Sequence, residues 1–90
     1  AAAPAPFALH LAPNPATEQV WVRFVLEQAT EATLSILDLG GRLMYEQPFA
    51  ASAGENSVPV QVGELPGGLY LVQLRAGARR GGEKLVVFKK

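Results

Sequence analysis

The sequence of 90 residues contains no cysteine and only one histidine, so two of the common metal-binding side chains are almost absent. Without cysteine the chain forms neither a disulfide nor a thiolate metal site, although this does not decide its compartment, because exported proteins can also lack disulfides. The acidic residues are too scattered along the chain for a calcium-binding loop. The sequence therefore predicts no metal centre.

Groups that could act in catalysis are equally scarce. The one histidine, His10, lies in a proline-rich start, and the one aspartate, Asp38, stands beside a turn signal where its carboxylate can accept backbone hydrogen bonds. No serine has a neighbouring base in the pattern of a nucleophile, and no glycine pair fits a phosphate-binding loop. We therefore expect a protein that is not an enzyme and that uses no cofactor and no small-molecule substrate.

Long hydrophobic runs are missing as well. No apolar stretch approaches the roughly 20 residues of a membrane-spanning helix. The opening AAAPAPFALHLAPNPA has no basic region and is interrupted by prolines, so it does not have the form of a secretory signal peptide. The chain also begins without methionine, and we expect it to be a piece of a longer protein.

Charge is balanced in total but separated along the chain. Residues 1–74 contain two basic and seven acidic residues, whereas residues 75–90 contain six basic residues and one glutamate. The basic ending can protect a terminal sheet edge from pairing with other chains, or it can form a docking surface for an acidic partner. Both interpretations stay open. The zero net charge and the lack of interleaved aromatic residues argue against nucleic acid as a partner.

Apolar residues at alternate positions indicate β-strands. The runs VWVRFVL (20–26), ATLSILD (32–38) and VPVQV (58–62) have the period of two that is typical of half-buried strands. Pro59 cannot donate a ladder hydrogen bond, so its strand is expected at a sheet edge or at a bulge. No window has a sustained helical period. Seven strands are predicted, at about residues 7–11, 18–26, 31–39, 42–49, 56–62, 68–75 and 82–89.

Turn signals separate these runs. Gly-Gly pairs at 40–41, 67–68 and 81–82 each precede a predicted strand, and the first pair suits a tight hairpin whose central residues have positive φ. Seven short strands without a crossover helix predict an all-β fold, an antiparallel sandwich of two sheets. The alternation predicts a core that contains Val20, Val22, Phe24, Leu34, Ile36, Val58, Val60, Tyr70, Val72, Leu74, Leu85 and Val87.

The few aromatic residues suggest one alternative use of the surface. Trp21 faces away from the apolar set of its strand, so a flat platform of Trp21 and Tyr45 for stacking on a sugar is a second hypothesis. Tyr70 alternates with apolar residues of its run, and we expect it in the core with its hydroxyl group reaching a strand or loop edge.

Several short motifs together resemble one family. LAPNPATEQVWVRF, ATLSILDLGGRLMY, AGENSVPVQVGELPGGLYLVQL and the final GEKLVVFKK have the order and spacing of the type A C-terminal sorting domain of type IX (Por) secretion cargo proteins. The resemblance spans about residues 9–90. Two departures are small: Gly40 doubles the hairpin glycine, and the stretch after Val60 lacks an acidic residue often seen there. The resemblance implies recognition through Pro13, Asn14, Pro15, Gly41, Arg42, Gly68, Tyr70, Lys84, Leu85, Val86, Val87, Lys89 and Lys90.

The resemblance implies an immunoglobulin-like sandwich that serves as an address for export. Residues 1–8 would then be a linker to an upstream cargo domain, and residues 9–90 the sorting domain. Family members belong to exported proteins of Bacteroidota-type bacteria: the cargo folds in the periplasm and crosses the outer membrane, and in many members a surface sortase then removes the domain. The implied partners are the cargo, the outer-membrane shuttle and the sortase, and the implied destination is the cell surface or the medium.

A different class of function stays open. The same sandwich can be a structural or carbohydrate-binding module of a secreted enzyme, because a fold does not decide a function. A sorting domain must be C-terminal in its parent protein, whereas such a module need not be. For a sorting domain we expect the segment before Pro13 to be the flexible junction where any processing occurs, and the terminal lysines to be accessible.

Overall fold

The computed structural model describes residues 9–89, and every regular element in them is a strand. None of the described residues belongs to a helix that could span a membrane. The strands are β1 (His10–Ala12), β2 (Gln19–Leu26), β3 (Thr30–Asp38), β4 (Leu43–Ala51), β5 (Gly54–Gln61), β6 (Gly68–Ala76) and β7 (Arg79–Val87).

These strands form two sheets. One sheet has the order β1-β2-β5 and the other the order β4-β3-β6-β7, with antiparallel pairing between all neighbours. This confirms the predicted all-β antiparallel sandwich. In a constant-type immunoglobulin domain the fourth strand joins the sheet of the first two, whereas here β4 stays paired with β3. Pro59 lies in β5, which among residues 9–89 pairs only with β2, so its predicted place on a sheet edge is confirmed.

The core is built from alternate residues of both sheets. In β2 the side chains of Val20, Val22 and Phe24 are buried, whereas Trp21 and its outward neighbours are exposed, which confirms the predicted register. One member of the predicted core, Val58, is half-buried and packs against the core. The other predicted members are all buried, and Leu9, Ala16, Leu26, Ala32, Ala51, Val62 and Ala76 join them.

The hairpin before β7 differs from the sequence prediction. The turn consists of Gly77 and Ala78, and Gly77 has a φ of 61° at the loop position where a type II′ turn favours glycine. Strand β7 therefore starts at Arg79, and the pair Gly81–Gly82 lies inside it. The prediction of a turn there was wrong, because two glycines in a row mark backbone freedom without deciding whether the chain uses it.

The β3–β4 connection also differs in detail. It spans residues 39–42, and only Gly41 of its two glycines has positive φ, at 85°. The predicted hairpin is present, but the prediction that both central residues have positive φ was wrong. The backbone N–H of Gly40, the other glycine, donates a hydrogen bond to the Asp38 carboxylate.

The first strand lies later in the chain than predicted. Residues 10–12 form β1, and Leu9 is buried, so residues 9–12 belong to the sandwich and the prediction of a flexible junction up to Pro13 was wrong for them. The earlier part of the predicted strand and the predicted linker, residues 1–8, lie outside the described residues.

The connections are distributed between the two ends of the sandwich. The strand pairings place residues 13–18, 39–42, 62–67 and 88–89 at one end, which we call the motif end. The connections 27–29, 52–53 and 77–78 lie at the opposite end. Because β1 runs from His10, opposite Arg23, to Ala12, opposite Trp21, the chain enters the sheet from the side away from the motif end.

Candidate recognition site at the end of the last strand

The residues that the resemblance singled out come from four distant stretches of sequence, and the described ones meet at the motif end. Pro13, Asn14 and Pro15 lie between the first two strands, and the hairpin residues Gly41 and Arg42 lie between β3 and β4. The start of β6 and the last residues of β7 complete the group, because Gly68 pairs with Val87 and Tyr70 with Leu85. The site is thus a set of loops around the end of β7.

Asn14 binds the outer edge of β7 with its side-chain amide. Its Nδ2 donates a hydrogen bond to the carbonyl oxygen of Lys84 at 3.0 Å, and its Oδ1 accepts one from the backbone N–H of Val86 at 3.0 Å. The amide thereby offers one donor and one acceptor side by side, as the backbone of a neighbouring strand does. The flanking peptide bonds Ala12–Pro13 and Asn14–Pro15 are both cis.

Ala16 continues this contact along the same edge. Its backbone N–H donates to the carbonyl oxygen of Val86 at 2.8 Å, and its carbonyl oxygen accepts from the N–H of Phe88 at 2.8 Å. Ala16 forms a parallel bridge with Val87 and is fully buried. We call residues 14–16 the clasp. The clasp satisfies backbone groups that an edge strand otherwise leaves open to other chains.

The end of β7 presents two different faces. The side chains of Leu85 and Val87 are buried in the core, whereas Lys84 and Val86 point outward. Val86 is 37% exposed and stands opposite Leu69, which is 38% exposed. A partner that approaches this end therefore meets one cationic and two apolar side chains, while the two core residues are reached only by opening the fold.

Lys89 is exposed but held against a loop. Its amino group donates a hydrogen bond to the carbonyl oxygen of Gly63. A Cβ added to Gly67 would lie 3.1 Å from Cγ of Lys89, so the loop approaches the lysine closely because residue 67 has no side chain. Tyr70 is buried as predicted, and its hydroxyl group donates to the carbonyl oxygen of Pro66 at 2.5 Å. Lys90 lies outside the described residues.

Asp38 holds the β3–β4 turn, as predicted. Its Oδ1 accepts hydrogen bonds from the backbone N–H groups of Arg42 at 2.8 Å and Gly40 at 3.0 Å, and its Oδ2 lies 3.2 Å from Nε of Arg42. The backbone hydrogen bond from Arg42 is the main cause that lowers the pKa of Asp38, and the guanidinium charge and the N–H of Gly40 lower it further against the opposing effect of desolvation. The guanidinium group of Arg42 remains largely exposed.

One feature of this end was missed from the sequence. Leu43, Leu37, Leu71 and Lys84 form a row across the outer face of the four-stranded sheet, since each is paired with the next. Leu43 is 51% exposed. The signal was available, because Leu37 lies in the outward set of its strand, where polar residues are expected. This row and the pair Leu69–Val86 give the motif end an apolar outer surface.

The other candidate residues lie elsewhere. His10 is exposed on β1. Trp21 is on the outer face of the three-stranded sheet, whereas Tyr45 belongs to β4, packs against the core and donates its hydroxyl hydrogen to Oε1 of Gln47. The hypothetical aromatic platform for a sugar is therefore not assembled. Among residues 9–89 no group of three or more histidine or acidic residues is arranged to hold a metal ion.

Comparison with known protein families shows to which family the chain belongs. The sequence model of the secretion system C-terminal sorting domain matches residues 10–88. The chain belongs to this family. It is the sorting domain of type IX secretion, as the resemblance implied. A search of curated proteins found no match.

The matched range includes all of the motif end except residue 89. It begins at the first residue of β1 and ends one residue after β7, so it includes the clasp and its hydrogen-bond partners on the last strand. Of the recognition residues that the resemblance singled out, Lys89 and Lys90 lie beyond it. The roles of these residues in recognition stay predictions.

We predict that Asn14→Ala destabilises the sorting domain by about 1–3 kcal/mol, because two hydrogen bonds are lost and each contributes about 0.5–1.5 kcal/mol. Hydrogen exchange of the Val86 amide should become faster, since its acceptor is removed. Chemical denaturation and amide exchange measured by NMR test both effects.

A matched control is Asn56→Ala at the opposite end. The Asn56 side chain also makes paired amide hydrogen bonds, to the backbone of Ser52 and Gly54. This variant should lose comparable stability and should not change the exchange of Val86 beyond the general loss of stability. Equal exchange of Val86 in the two variants, at equal stability, would show that the clasp does not protect the edge of β7.

The lowered pKa of Asp38 predicts a component of stability that depends on pH. The carboxylate stabilises the folded state above its ordinary pKa of about 3.9, and this contribution is lost as the pH falls through the lower pKa of the folded state. Asp38→Asn should therefore show a smaller loss of stability on acidification than the parent chain. Urea unfolding across the acidic range measures this difference. Glu46→Gln, on β4 of the same hairpin, is the control, and an equal reduction in both variants would contradict the role of Asp38.

Proposed function

We propose that this chain is a non-catalytic signal that directs an upstream cargo domain across the outer membrane by type IX secretion. The observation that carries the proposal is the family match, which covers the whole sandwich from β1 to Phe88. The proposed route is transit through the periplasm, recognition by the outer-membrane shuttle of the type IX system, and delivery to the cell surface or the medium.

The arrangement of the two ends supports this role. The motif end carries the clasp, the Asp38 turn and the last residues of β7. The chain enters β1 from the other side, so a cargo joined upstream would extend away from the motif end. A signal domain oriented in this way leaves its recognition residues accessible while the cargo is attached, as export of the joined protein requires.

We propose that the secretion machinery reads the outward side chains at the motif end. Lys84 and Val86 lie on the outer face of β7, next to the exposed Leu69 and Leu71, and the guanidinium group of Arg42 is at the neighbouring turn. Apolar surface supplies binding free energy on burial, and the surrounding charges supply specificity. The buried residues Leu85 and Val87 would then act by holding the strand in place.

Processing should leave the sandwich intact. Leu9 is buried and His10 begins the first sheet, so a sortase that releases the cargo is expected to cut before Leu9, within or upstream of residues 1–8. N-terminal sequencing of the released domain in a secreting strain measures this position. A new N-terminus within β2 would contradict the proposal, because that cut removes a strand that holds β1 and β5 together.

The role of the chain end can be tested with a secreted reporter fused before residue 1. Deleting residues 84–90 should abolish export, but this deletion also removes Leu85 and Val87 from the core. The informative change is Lys89→Gln with Lys90→Gln, because exposed charges contribute little to stability and glutamine can still donate a hydrogen bond to Gly63. If the machinery reads these charges, export falls while the Tm barely moves.

Leu85→Ala is the matched structural variant. It removes a fully buried side chain and should cost about 2–5 kcal/mol of stability, so any loss of export in this variant accompanies unfolding. Unchanged export of the double lysine variant would mean that the terminal charges protect a sheet edge and are not read.

A further inference from the structure

A groove crosses the outer face of the four-stranded sheet, away from the motif end. Its volume is about 500 Å³, within the range of small-ligand sites. Two cross-strand rows form it: Ser35, Gln73 and Gly82 are paired in one row, and Thr33, Arg75 and Arg80 in the next. Glu46 and Pro48 of β4 line the far wall.

Gly82 keeps this groove open, and nothing in the fold of β7 requires a glycine at that position. Its φ is not positive. A Cβ at residue 82 would meet its nearest neighbour, the carbonyl oxygen of Val72, at 3.5 Å, which is ordinary van der Waals contact. Glycine inside a strand weakens it and often marks a place where a ligand approaches the backbone. A side chain here would point outward, like that of Lys84, and fill the groove.

Two arginines face each other at one end of the groove. Arg75 on β6 is paired directly with Arg80 on β7, and both are exposed. Like charges at directly opposed positions destabilise a sheet. Within residues 9–89 neither arginine forms an ion pair. Their repulsion is therefore not balanced inside the domain, and an anion between the two guanidinium groups would balance it.

The acidic residues on this face leave the arginine end positively charged. Glu46 lies on β4 and faces Ser35. Strand β4 is two strands from β6, which carries Arg75, and three from β7, which carries Arg80. At the usual strand spacing these separations are about 10 and 14 Å. Glu31 faces Ala50 at the outer end of β3. Both carboxylates would repel a second anionic group, so the site favours a ligand with one compact negative charge.

We propose that the groove binds an oxyanion, the phosphate or carboxylate group of a small ligand, between Arg75 and Arg80. Guanidinium groups bind such groups through charge-assisted and often paired hydrogen bonds. The Thr33 hydroxyl group shares the row of the two arginines, and the side chains of Ser35 and Gln73 offer further donors across the floor. This binding site goes beyond the proposed function, since none of the residues that line it is among those assigned to export.

The test is an NMR titration of the 90-residue chain with inorganic phosphate and, separately, with acetate. Sodium chloride at the same ionic strength corrects for screening of charge. We expect saturable shifts of the Gly82 and Arg80 amides and of the Arg75 Nε–H. Saturation by phosphate alone assigns a phosphate ligand, by acetate alone a carboxylate, and by both an oxyanion in general. Shifts that chloride reproduces, or that never saturate, overturn the proposal.

Three variants test the groove. Arg75→Gln with Arg80→Gln should weaken binding by roughly tenfold or more, since charge-assisted hydrogen bonds are lost. Gly82→Val should abolish binding while the chain stays folded, and Gly82→Ala provides a smaller obstruction if valine disturbs the strand. Arg23→Gln, an exposed arginine of the other sheet, is the control and should bind as the parent does. Undiminished binding in the double arginine variant or in a folded Gly82→Val chain would overturn the proposal.

Discussion

The pairing of residues 14–16 with the outer edge of β7 is the contact on which the arrangement of this domain depends. The segment leaves the three-stranded sheet after β1, forms four hydrogen bonds with the last strand of the four-stranded sheet, and returns to form β2. It thereby joins the two sheets along one side through backbone and amide groups as well as through the core. Because β7 is bonded to β6 on its inner edge, the clasp leaves the end of that strand paired on both sides.

The clasp is one of several contacts that hold β7 in place. Here the last strand has a buried face formed by Leu85 and Val87, a paired inner edge, and an outer edge covered by the clasp. The loop 63–67 adds a further restraint, since it contacts both Lys89 and the hydroxyl group of Tyr70. The outward side chains of β7 are consequently displayed on a fixed strand.

Two residues of the site show what could be predicted and what could not. The hydrogen bonds of Asp38 were foreseen, because they join it to Gly40 and Arg42, two and four residues away, where a turn dictates the geometry. Asn14 was singled out only by its place in a family motif. Its partners Lys84 and Val86 are 70 and 72 residues away, and no local pattern connects an asparagine between prolines with a particular strand edge. The prediction of a turn at Gly81–Gly82 was wrong for a related reason. The conformation of these two residues follows from their pairing with Gln73 and Leu74 and not from local turn chemistry.

The amino-acid order was sufficient to establish the number of strands, the side of each strand that faces the core, and the sandwich class. These properties follow from the alternation of apolar and polar residues, which is visible within each short strand. Burial of one face of a strand requires that alternation. The folded chain decided which strands become neighbours and which sheet edges stay open or are covered. It also decided that the four recognition stretches meet at one end. Those properties depend on hydrogen bonds between backbone groups, which nearly every residue has. The sequence therefore does not show which groups pair, and the pairing is decided only when the folded chain brings distant segments within hydrogen-bonding distance.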